Sequence, residues 1–566
     1  MAAEWDMRKE ENDPALIVPL WLVWLAAFIF VVAGLGSFGI LDNNEGLYSE
    51  IPREMLASGD WRQWIIPHLN GLPYMEKPPL LYWLTALCFA VFGESEWSAR
   101  AVPALSSLAC VAMLLHFGKL VQRPQTGRLA ALMFVSGIGV MAMSRVLMFD
   151  MLLTALLTAA ILFAYRYMRE GAPRFMRLAY AFLALALLAK GFVALILFGL
   201  VVAGYIAFGS GSLRAAWRAI LQWLKPSGLL IFLAIAAPWH IAASLTEPAF
   251  AWFYFINEHV LRFMGKREPH DYYSGPWWYY LPRMVIYLFP WSFLLLCLFK
   301  RRTGAAAPDT ALLKRFLWVA WLAPLIFFSV SSAKANYYLV AVMPFAAFHL
   351  ALALEERNFL QAQARALPGI LIAACAAALC IVLLRREDAG GADLVMGLSQ
   401  RDFLIAVMAG VIVLALAASF FARRFERIGI QAYVVVSVWI AAAMGIALSS
   451  MEALVSTRPL VAYLQSEHPE REVYLYRVFE QKSSLAFGMK KTIPVIGMRS
   501  NDLFWGDRLR PGNAINIPER DFGAMLRGRK VAVVVMDEHL PEFRAADFHA
   551  AFKSAKHIGK TTVFLN

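Results

Sequence analysis

Residues 148–165 read MFDMLLTALLTAAILFAY, an apolar run whose one charged residue, Asp150, stands near its start. A helix crosses a bilayer with about 20 mostly apolar residues, so this run predicts a transmembrane helix with a carboxylate at one end. Other runs share this composition, and most of them lack Asp, Glu, Lys and Arg. We therefore predict thirteen spanning helices, at residues 16–40, 98–118, 129–144, 148–165, 178–189, 192–210, 227–244, 278–299, 316–332, 337–354, 367–384, 403–422 and 428–450.

The composition of the whole chain agrees with a membrane protein. Of its 566 residues, 60% are hydrophobic and 16% are charged, and its mean hydropathy is +0.57. Soluble proteins are usually about 45–50% apolar and about 25% charged. These values exclude an ordinary cytosolic enzyme, a disordered protein and a DNA-binding domain. The net charge of +13 then indicates basic loops beside a membrane rather than a surface for nucleic acid.

The loops between the predicted spans alternate in charge. Twenty Lys and Arg residues lie in one set of loops, and the alternate short loops hold six. The basic set comprises residues 119–128, 166–177, 214–225, 300–315, 357–365 and 423–427. Because cytoplasmic loops carry the excess of Lys and Arg, we predict a cytoplasmic N-terminus, with Arg8 and Lys9, and a C-terminus on the outer face. Residues 79–92 are apolar but short, and we predict a helix in the membrane interface there.

The composition changes near residue 451, where the chain becomes mixed and charged. EVYLYRV, KTIPVIGM, KVAVVVMDE and TTVFLN have the pattern of short strands, and residues near 457–466 and 540–554 that of helices. We therefore predict a polytopic α-helical membrane protein with a small α/β domain on the outer face. A nucleotide role has little support, because this region has no GxGxxG or P-loop motif. The predicted domains are residues 1–450, with long outer loops at 41–97 and 245–277, and residues 451–566.

The first outer loop begins with LDNNEGLYSEIPREMLASGDW at residues 41–61. Asp42 and Glu45 stand at the mouth of the first span, and Asp150 stands at the outer end of the fourth. A carboxylate among apolar residues at a membrane boundary is energetically unfavourable unless it forms an ion pair or has a functional role. We predict a catalytic role for these three residues, and the alternative is helix capping or a structural ion pair.

The same loop continues with PHLNGLPYMEKPPLLYW, in which two prolines restrict the backbone after Glu76 and Lys77. The lysine is placed to meet an anionic head group, and a snorkelling lysine is the alternative. In the second outer loop, Glu258 and His259 share a helical face with Arg262. Glu76 with His259 is a candidate pair of ligands for a divalent metal, the one cofactor that the sequence suggests. The alternative for that pair is an ion pair.

A third outer loop, SSAKANYYLVAVMP, brings Lys334, Tyr337 and Tyr338 to the same side of the membrane. Together with Lys77 and Arg262, these side chains suit a phosphate next to an acyl chain. Arginine binds phosphate oxygens through two parallel hydrogen bonds, and lysine adds a point charge. The carboxylates suit an acceptor hydroxyl, for which they act as base, or the polar groups of a sugar.

Two stretches carry a resemblance to a known family. LDNNEGLYSEIPREMLASGDW and PHLNGLPYMEKPPLLYW resemble the motifs of bacterial GT-C lipid-linked glycosyltransferases, in particular the lipid A aminoarabinose transferases of the protein O-mannosyltransferase superfamily. The resemblance implies an inner-membrane enzyme with a periplasmic C-terminal domain. It implies transfer of a sugar, with inversion, from an undecaprenyl-phosphate donor to a periplasmic acceptor such as lipid A or lipopolysaccharide. Lys77 then matches the lysine that contacts the donor phosphate, Arg262 and Tyr337 match further phosphate contacts, and Asp150 matches a second acidic site.

The chain departs from this pattern in the first motif. The aminoarabinose transferases carry Asp-Glu followed by Arg-Tyr, whereas residues 44–48 read NEGLY. The acid is then Asp42 or Glu45 alone, Leu47 replaces the arginine, and a histidine position in the second loop reads Asn257. These changes leave the sugar and the acceptor open, with galacturonic acid, mannose or a protein acceptor as alternatives.

Two other functions compete with transfer. One is a polyprenyl-lipid transporter or flippase without chemistry, and the other is a scaffold whose C-terminal domain recruits a partner. Transporters usually have broken helices and ionisable residues near the bilayer midplane. Here the predicted spans are nearly free of charge and the polar residues lie on one side, which favours the transferase.

Overall fold

A computed structural model of the chain describes residues 17–270, 274–295, 298, 308–355, 362–385, 399–425 and 429–566. Some of the basic residues that predict the orientation lie outside the described residues. They are Arg8, Lys9, Lys300, Arg301, Arg302, Arg357, Arg386 and Arg427.

The described residues before 451 are mostly helical. The helices are α1 Leu20–Ala27, α2 Asn44–Ala57, α3 Leu80–Phe92, α4 Glu96–Leu120, α5 Pro124–Ser136, α6 Ile138–Met143, α7 Phe149–Glu170, α8 Pro173–Lys190, α9 Val193–Gly209, α10 Leu213–Leu221, α11 Pro226–Thr246, α12 Tyr280–Leu288, α13 Pro308–Val330, α14 Met343–Glu355, α15 Ala362–Leu384, α16 Gln400–Arg424 and α17 Val434–Ser450. Short 3-10 turns lie at Trp61–Trp64, Trp291–Leu295, Asn336–Val342 and Gly429–Tyr433, and π-helical turns at Phe28–Val32 and Trp252–Leu261.

Eight helical segments in the described residues are long and apolar enough to cross a membrane. Three further apolar helices, Leu20–Val32, Leu80–Phe92 and Val193–Gly209, are shorter. Each of the thirteen predicted spans overlaps a helical segment of the structure. The chain is thus a membrane protein built on a bundle of apolar helices, and thirteen crossings remain a prediction.

The helices divide into a central and a peripheral group. In α7 and in Asn336–Glu355, 78% and 89% of the apolar stretch of 18 residues is buried inside the protein. The corresponding share is only 22% in α11 and 28% in α16, which carry exposed leucines and phenylalanines such as Leu233 and Phe420. Helices with a wide exposed apolar surface face lipid in a membrane, so α7 and the segment Asn336–Glu355 form the centre of the bundle.

The first outer loop is folded rather than extended. It contains α2, a two-stranded hairpin of β1 (His68–Leu69) and β2 (Leu72–Pro73), and α3. With 13 residues, α3 is about 20 Å long, which is too short for a hydrocarbon core about 30 Å thick. A short helix was predicted at this point of the chain, and its position at the membrane interface remains a prediction.

The C-terminal region forms a six-stranded sheet with short helices around it. Its strands are β3 Glu472–Tyr476, β4 Val495–Ile496, β5 Asn516–Ile517, β6 Val531–Met536, β7 Ser554–Ile558 and β8 Thr561–Leu565. Its helices are α18 Glu452–Val455, α19 Arg458–Glu467, α20 Ser484–Met489, α21 Phe504–Leu509, α22 Glu519–Met525 and α23 Leu540–Ala545. The spatial order is β5-β4-β3-β6-β8-β7, with β3 to β6 parallel and the last two strands antiparallel. All four predicted strand segments contain a strand, while β5 and β7 are additional.

The sheet region packs directly on the first outer loop. Gly46 of α2 lies against Ser483, and a Cβ at Gly46 would stand 2.2 Å from the Ser483 Oγ. One hydrophobic core also includes Ile51 of α2, Leu81 of α3 and Leu475 of β3. This packing fixes the position of the loops that follow the sheet strands. These loops lie over the ends of the helices that are joined by the outer loops. The division at residue 451 remains a proposal.

Candidate active site

A cavity of about 1260 Å³ lies where the outer loops, the helices and the sheet region meet. Its walls come from α2, from the stretch around Lys77, from the start of α7 and from the turn at Trp252–Leu261. The loops after β3 and β4 close it from the side of the sheet region. One continuous site therefore draws on segments that are hundreds of residues apart.

One end of the cavity is basic and is organised around Glu258. The Glu258 Oε2 lies 3.1 Å from an Arg262 Nη1 and 3.7 Å from the Lys77 Nζ. The Arg267 guanidinium pairs with the Glu258 Oε1 and lies 2.6 Å from the Glu76 Oε1. Glu258 stands in the π-helical turn Trp252–Leu261, a local widening of a helix that often marks a functional site.

The opposite charges at this end of the cavity stabilise each other. Although burial alone raises the pKa of Glu258, the cations of Lys77, Arg267 and Arg262 hold it below its ordinary value. Burial alone lowers the pKa of Arg267, and the carboxylates of Glu76 and Glu258 raise it instead. This end thus combines three basic and two acidic side chains, and the pKa shifts of Glu258 and Arg267 both favour their charged forms.

Arg267 was not among the predicted site residues. Its side chain is only 6% exposed, against 23% for Arg262 and 16% for Lys77. Arg267 thus holds the two carboxylates in place, while Lys77 and Arg262 turn part of their surface toward the cavity. Its place in the basic run GKREP was the only signal for it, because its partner Glu76 is 191 residues away.

The predicted metal pair is not supported by this geometry. The His259 Nδ1 donates to the Tyr254 carbonyl at 2.5 Å, and its Nε2 accepts from the Phe192 N–H at 3.4 Å. Glu76 is engaged by Arg267 and Lys77. The part of the chain that the structure describes holds no group of three His, Cys, Asp or Glu placed to bind a metal. Among the described residues Glu76 pairs with Lys77 and Arg267 and not with His259, so the alternative, an ion pair between Glu76 and His259, is not formed either.

Asp150 lines the cavity and forms an ion pair with Lys190. Asp150 lies in the first turn of α7, and Lys190 is the last residue of α8. The Lys190 Nζ stands 4.6 Å from the ring centre of Tyr338 and 5.3 Å from that of Tyr337. The predicted residues Asp150, Tyr337 and Tyr338 are therefore brought together, around a lysine that the sequence interpretation did not select.

Asp42 and Glu45 occupy other positions than predicted. Asp42 accepts from the Lys482 Nζ at 2.9 Å and from the Ser484 Oγ at 2.7 Å. Glu45 accepts hydrogen bonds from the Arg100 Nε at 2.8 Å and Nη2 at 2.9 Å. It also accepts hydrogen bonds from two backbone N–H groups. Within the described residues, neither carboxylate lines the cavity. Their acceptor positions are taken up by structural partners, which corrects the prediction that they face the substrate.

The side of the first loop that faces the cavity carries amides and aromatic groups instead. Asn43, Asn44, Leu47 and Tyr48 line it. Asn43 has a φ of 62°, a left-handed conformation that asparagine adopts more readily than most residues, and it turns the chain into α2. This turn directs Asp42 and Glu45 away from the cavity.

Lys334 is also placed differently from the prediction. Its Nζ donates to the carbonyls of Phe328, Ser329 and Ser331, and its side chain is buried. The last carbonyls of a helix lack intrahelical partners, and a lysine satisfies them well. Lys334 therefore closes the end of α13 and is no candidate for phosphate binding.

The sheet region contributes polar groups that the sequence interpretation missed. Glu480 follows β3, and Arg499, Asn501 and Asp502 follow β4. Glu480 accepts from the Asn501 N–H at 3.0 Å and from the Ser500 hydroxyl. These residues carry no recognisable motif, and only the parallel strands bring their loops to one edge of the sheet.

A comparison of the whole fold with solved structures gives one clear result. The crystal structure of ArnT from Cupriavidus metallidurans bound to undecaprenyl phosphate superposes with a TM-score of 0.77, over 96% of this chain and 97% of that one. The chain has the ArnT fold. The apo form of the same protein gives 0.75, and sequence identity is 22% in both cases. The predicted fold class, a GT-C membrane protein with a small C-terminal α/β region, is confirmed.

The ArnT-like chain also matches a family model and curated proteins. The model of the dolichyl-phosphate-mannose-protein mannosyltransferase family matches residues 76–241, a range that contains Lys77, Asp150 and Lys190. Undecaprenyl phosphate-alpha-4-amino-4-deoxy-L-arabinose arabinosyl transferases from Pseudomonas savastanoi pv. phaseolicola and Pseudomonas fluorescens are 33% and 31% identical. These alignments cover 65% and 62% of this chain, and the chain spans 66% and 63% of those relatives' lengths. The predicted resemblance to the aminoarabinose transferases is confirmed.

Proposed function

We propose that this chain is an inverting glycosyltransferase that moves a sugar from an undecaprenyl-phosphate donor to an acceptor at the outer face of the membrane. The observation that carries the proposal is the basic end of the cavity, where Lys77 and Arg262 are partly exposed beside an enclosed apolar space. Its support is the activity for which the relatives are named and the undecaprenyl phosphate bound by a protein of the same fold.

The apolar part of the cavity suits a polyprenyl chain. Val193 and Ile196 of α9 line it, together with Phe327 and Phe328 of α13. Apolar side chains at the lipid-facing end of a cavity favour a hydrocarbon tail, since its burial is roughly proportional to the area removed from water. A phosphate at Lys77 would then carry its tail between these helices toward the membrane.

The chemistry follows from the leaving group. An acceptor oxygen attacks the anomeric carbon from the face opposite the phosphate, a new carbon–oxygen bond forms, and the bond from that carbon to the phosphate oxygen breaks. Undecaprenyl phosphate leaves with the bonding electron pair, so negative charge grows on its oxygen in the transition state. Fixed cations aimed at a developing charge accelerate such a step, and Lys77 and Arg262 hold this role.

Location and acceptor belong to the same proposal. We assign the chain to the bacterial inner membrane, with its N-terminus cytoplasmic and residues 451–566 in the periplasm, because the twenty basic residues lie in alternate loops. Lipid A or lipopolysaccharide is the acceptor that the resemblance implies. Because residues 44–48 differ from the usual motif, galacturonic acid and mannose stay beside aminoarabinose as candidate sugars.

An assay with purified components tests the proposal. The full chain in lipid nanodiscs is mixed with lipid A and with one undecaprenyl-phosphate-linked sugar at a time, and the acceptor is examined by mass spectrometry. We expect one donor to increase the acceptor mass by one sugar residue and to release undecaprenyl phosphate. Movement of the intact donor across vesicle membranes without any modified acceptor would instead support the transporter and contradict the proposal.

The Asp150–Lys190 pair provides a further prediction. Asp150→Asn leaves the buried Lys190 charge without its partner, and breaking a buried pair costs about 3–5 kcal/mol. We expect a lower melting temperature and at least about tenfold less transfer, since the first turn of α7 also forms a wall of the cavity.

A double variant separates stability from activity at this pair. Asp150→Leu with Lys190→Met removes both charges, and similar replacements of buried pairs are often neutral for stability. We expect it to recover the melting temperature but not the transfer rate. Full recovery of transfer in the double variant would show that the pair has only a structural role.

A further inference from the structure

The edge of the sheet that faces the cavity has the position of a ligand site. In open α/β sheets, ligands bind outside the carboxyl ends of parallel strands, where the order of the strands reverses. Here the chain passes from β3 to β4 and β5 on one side and then returns to β6 on the other side of β3. The loop after β3, which carries Glu480, borders this reversal, and the neighbouring loop after β4 carries Asp502. Both loops line the cavity.

Asp502 differs from the other acids of the cavity. Glu76 and Glu258 pair with cations, Asp150 pairs with a lysine, and Glu480 accepts hydrogen bonds from the loop after β4. In the described part of the chain, the Asp502 carboxylate makes no hydrogen bond and no ion pair, although it lines the cavity. A half-buried carboxylate without a partner is unfavourable, and this one lines the space that a substrate would fill.

The surroundings of Asp502 favour a cation. Burial, followed by the charges of Glu76 and Glu480, raises the pKa of Asp502 well above its ordinary value, although the cations of Arg267 and Lys77 act in the opposite direction. After burial, nearby acids that include Glu76 and Asp502 also contribute to the raised pKa of Tyr74. Closely spaced acids repel each other, and a bound positive charge relieves that repulsion.

A fully buried tyrosine hydroxyl lies close to this part of the cavity wall. The Tyr82 Oη has no hydrogen-bond partner among the described residues, and its ring packs near Tyr48, which lines the cavity. Asp502 and Glu76 are both close enough for their charges to act on the Tyr82 hydroxyl. Aromatic faces together with carboxylates form a typical setting for an ammonium group.

We propose that Asp502 binds a protonated amino group on the sugar of the donor, which makes this end of the cavity a specificity site for amino sugars. The inference rests on the proposed function and deepens it. The cavity would then hold a substrate with two opposite charges, its phosphate at Lys77 and Arg262 and its ammonium at Asp502. Loss of a charged partner inside a binding site costs about 2–5 kcal/mol, so we expect an effect of about 30-fold or more on donor affinity.

Two donors that differ in one charge test this inference. Undecaprenyl-phosphate-linked 4-amino-4-deoxy-L-arabinose carries an ammonium, and its N-formyl derivative carries a neutral amide at the same position. Binding of each donor to the full chain in nanodiscs, and transfer to lipid A, are measured for the wild type and for Asp502→Asn. We expect the wild type to prefer the amino donor, and the variant to lose about 30-fold in affinity for that donor alone.

The controls separate the possible outcomes. Asp521→Asn removes an exposed carboxylate of the same region and should change neither donor. Binding of undecaprenyl phosphate without a sugar should be unchanged in Asp502→Asn, which shows that the cavity is intact. An equal loss of kcat with both donors would identify Asp502 as a base for the acceptor and overturn the inference, as would unchanged selectivity. Selective binding of the amino donor without any transfer would contradict only the proposed function.

Discussion

Replacement of Lys77 by alanine is expected to lower kcat/KM for sugar transfer by about 10²–10³-fold, the loss typical of one donor aimed at a developing oxyanion. Lys77 is held by Glu258 at 3.7 Å and by Glu76 at 3.6 Å, and its ammonium is partly exposed to the cavity. The growing charge on the leaving phosphate would lose its nearest point charge. Initial rates with purified chain in nanodiscs measure the effect.

A neighbouring lysine provides the matched control. Lys266 belongs to the second outer loop, is exposed and does not line the cavity, so Lys266→Ala should retain the wild-type rate. Arg262→Ala should resemble Lys77→Ala, because its guanidinium lies on the same carboxylate. Wild-type activity in a folded Lys77→Ala protein would remove the basic end of the cavity from the mechanism.

Replacement of Arg100 by alanine is expected to destabilise the protein by about 3–5 kcal/mol, because it leaves a buried carboxylate without its partner. Arg100 is fully buried, binds both oxygens of Glu45, and donates to the carbonyls of Leu35, Phe38 and Gly39. It thereby ties the first outer loop to α4. Unfolding in mixed detergent micelles with increasing dodecyl sulfate measures the change in free energy.

The control for this variant is a surface arginine. Arg177→Ala, at an exposed position of α8, should change the free energy of unfolding by less than about 0.5 kcal/mol. If Arg100→Ala is as stable as Arg177→Ala, the ion pair with Glu45 is not structural. The catalytic role first predicted for Glu45 would then need to be considered again.

The helices and two of the cations that line the cavity could be predicted from the sequence because their signals are local. An apolar run such as 148–165 defines a spanning helix without knowledge of its neighbours. Lys77 and Arg262 stand out because they are cations in loops on the outer side, where the charge pattern expects few. Both line the cavity in the structure.

The partners of the buried charges could not be predicted because they are distant in sequence. Asp42 pairs with Lys482, 440 residues away, and Glu45 with Arg100, 55 residues away. The sequence alone does not distinguish a carboxylate that pairs with a distant cation from one that binds a substrate. Asp502 illustrates the reverse case, since only the fold shows that it faces the cavity without a partner.

The proposed function requires the cavity to bind a polyprenyl phosphate at Lys77, with its tail along α9 and α13. An undecaprenyl phosphate analogue with a diazirine in its first isoprene units tests this most directly, by photo-crosslinking in nanodiscs and peptide mapping. We predict labelling of the stretches around Val193–Ile196 and Phe327–Phe328, with strong loss of that labelling in Lys77→Ala. Labelling that is confined to peripheral helices such as α11 and α16, and unchanged by Lys77→Ala, would show that the polyprenyl phosphate does not bind in the cavity.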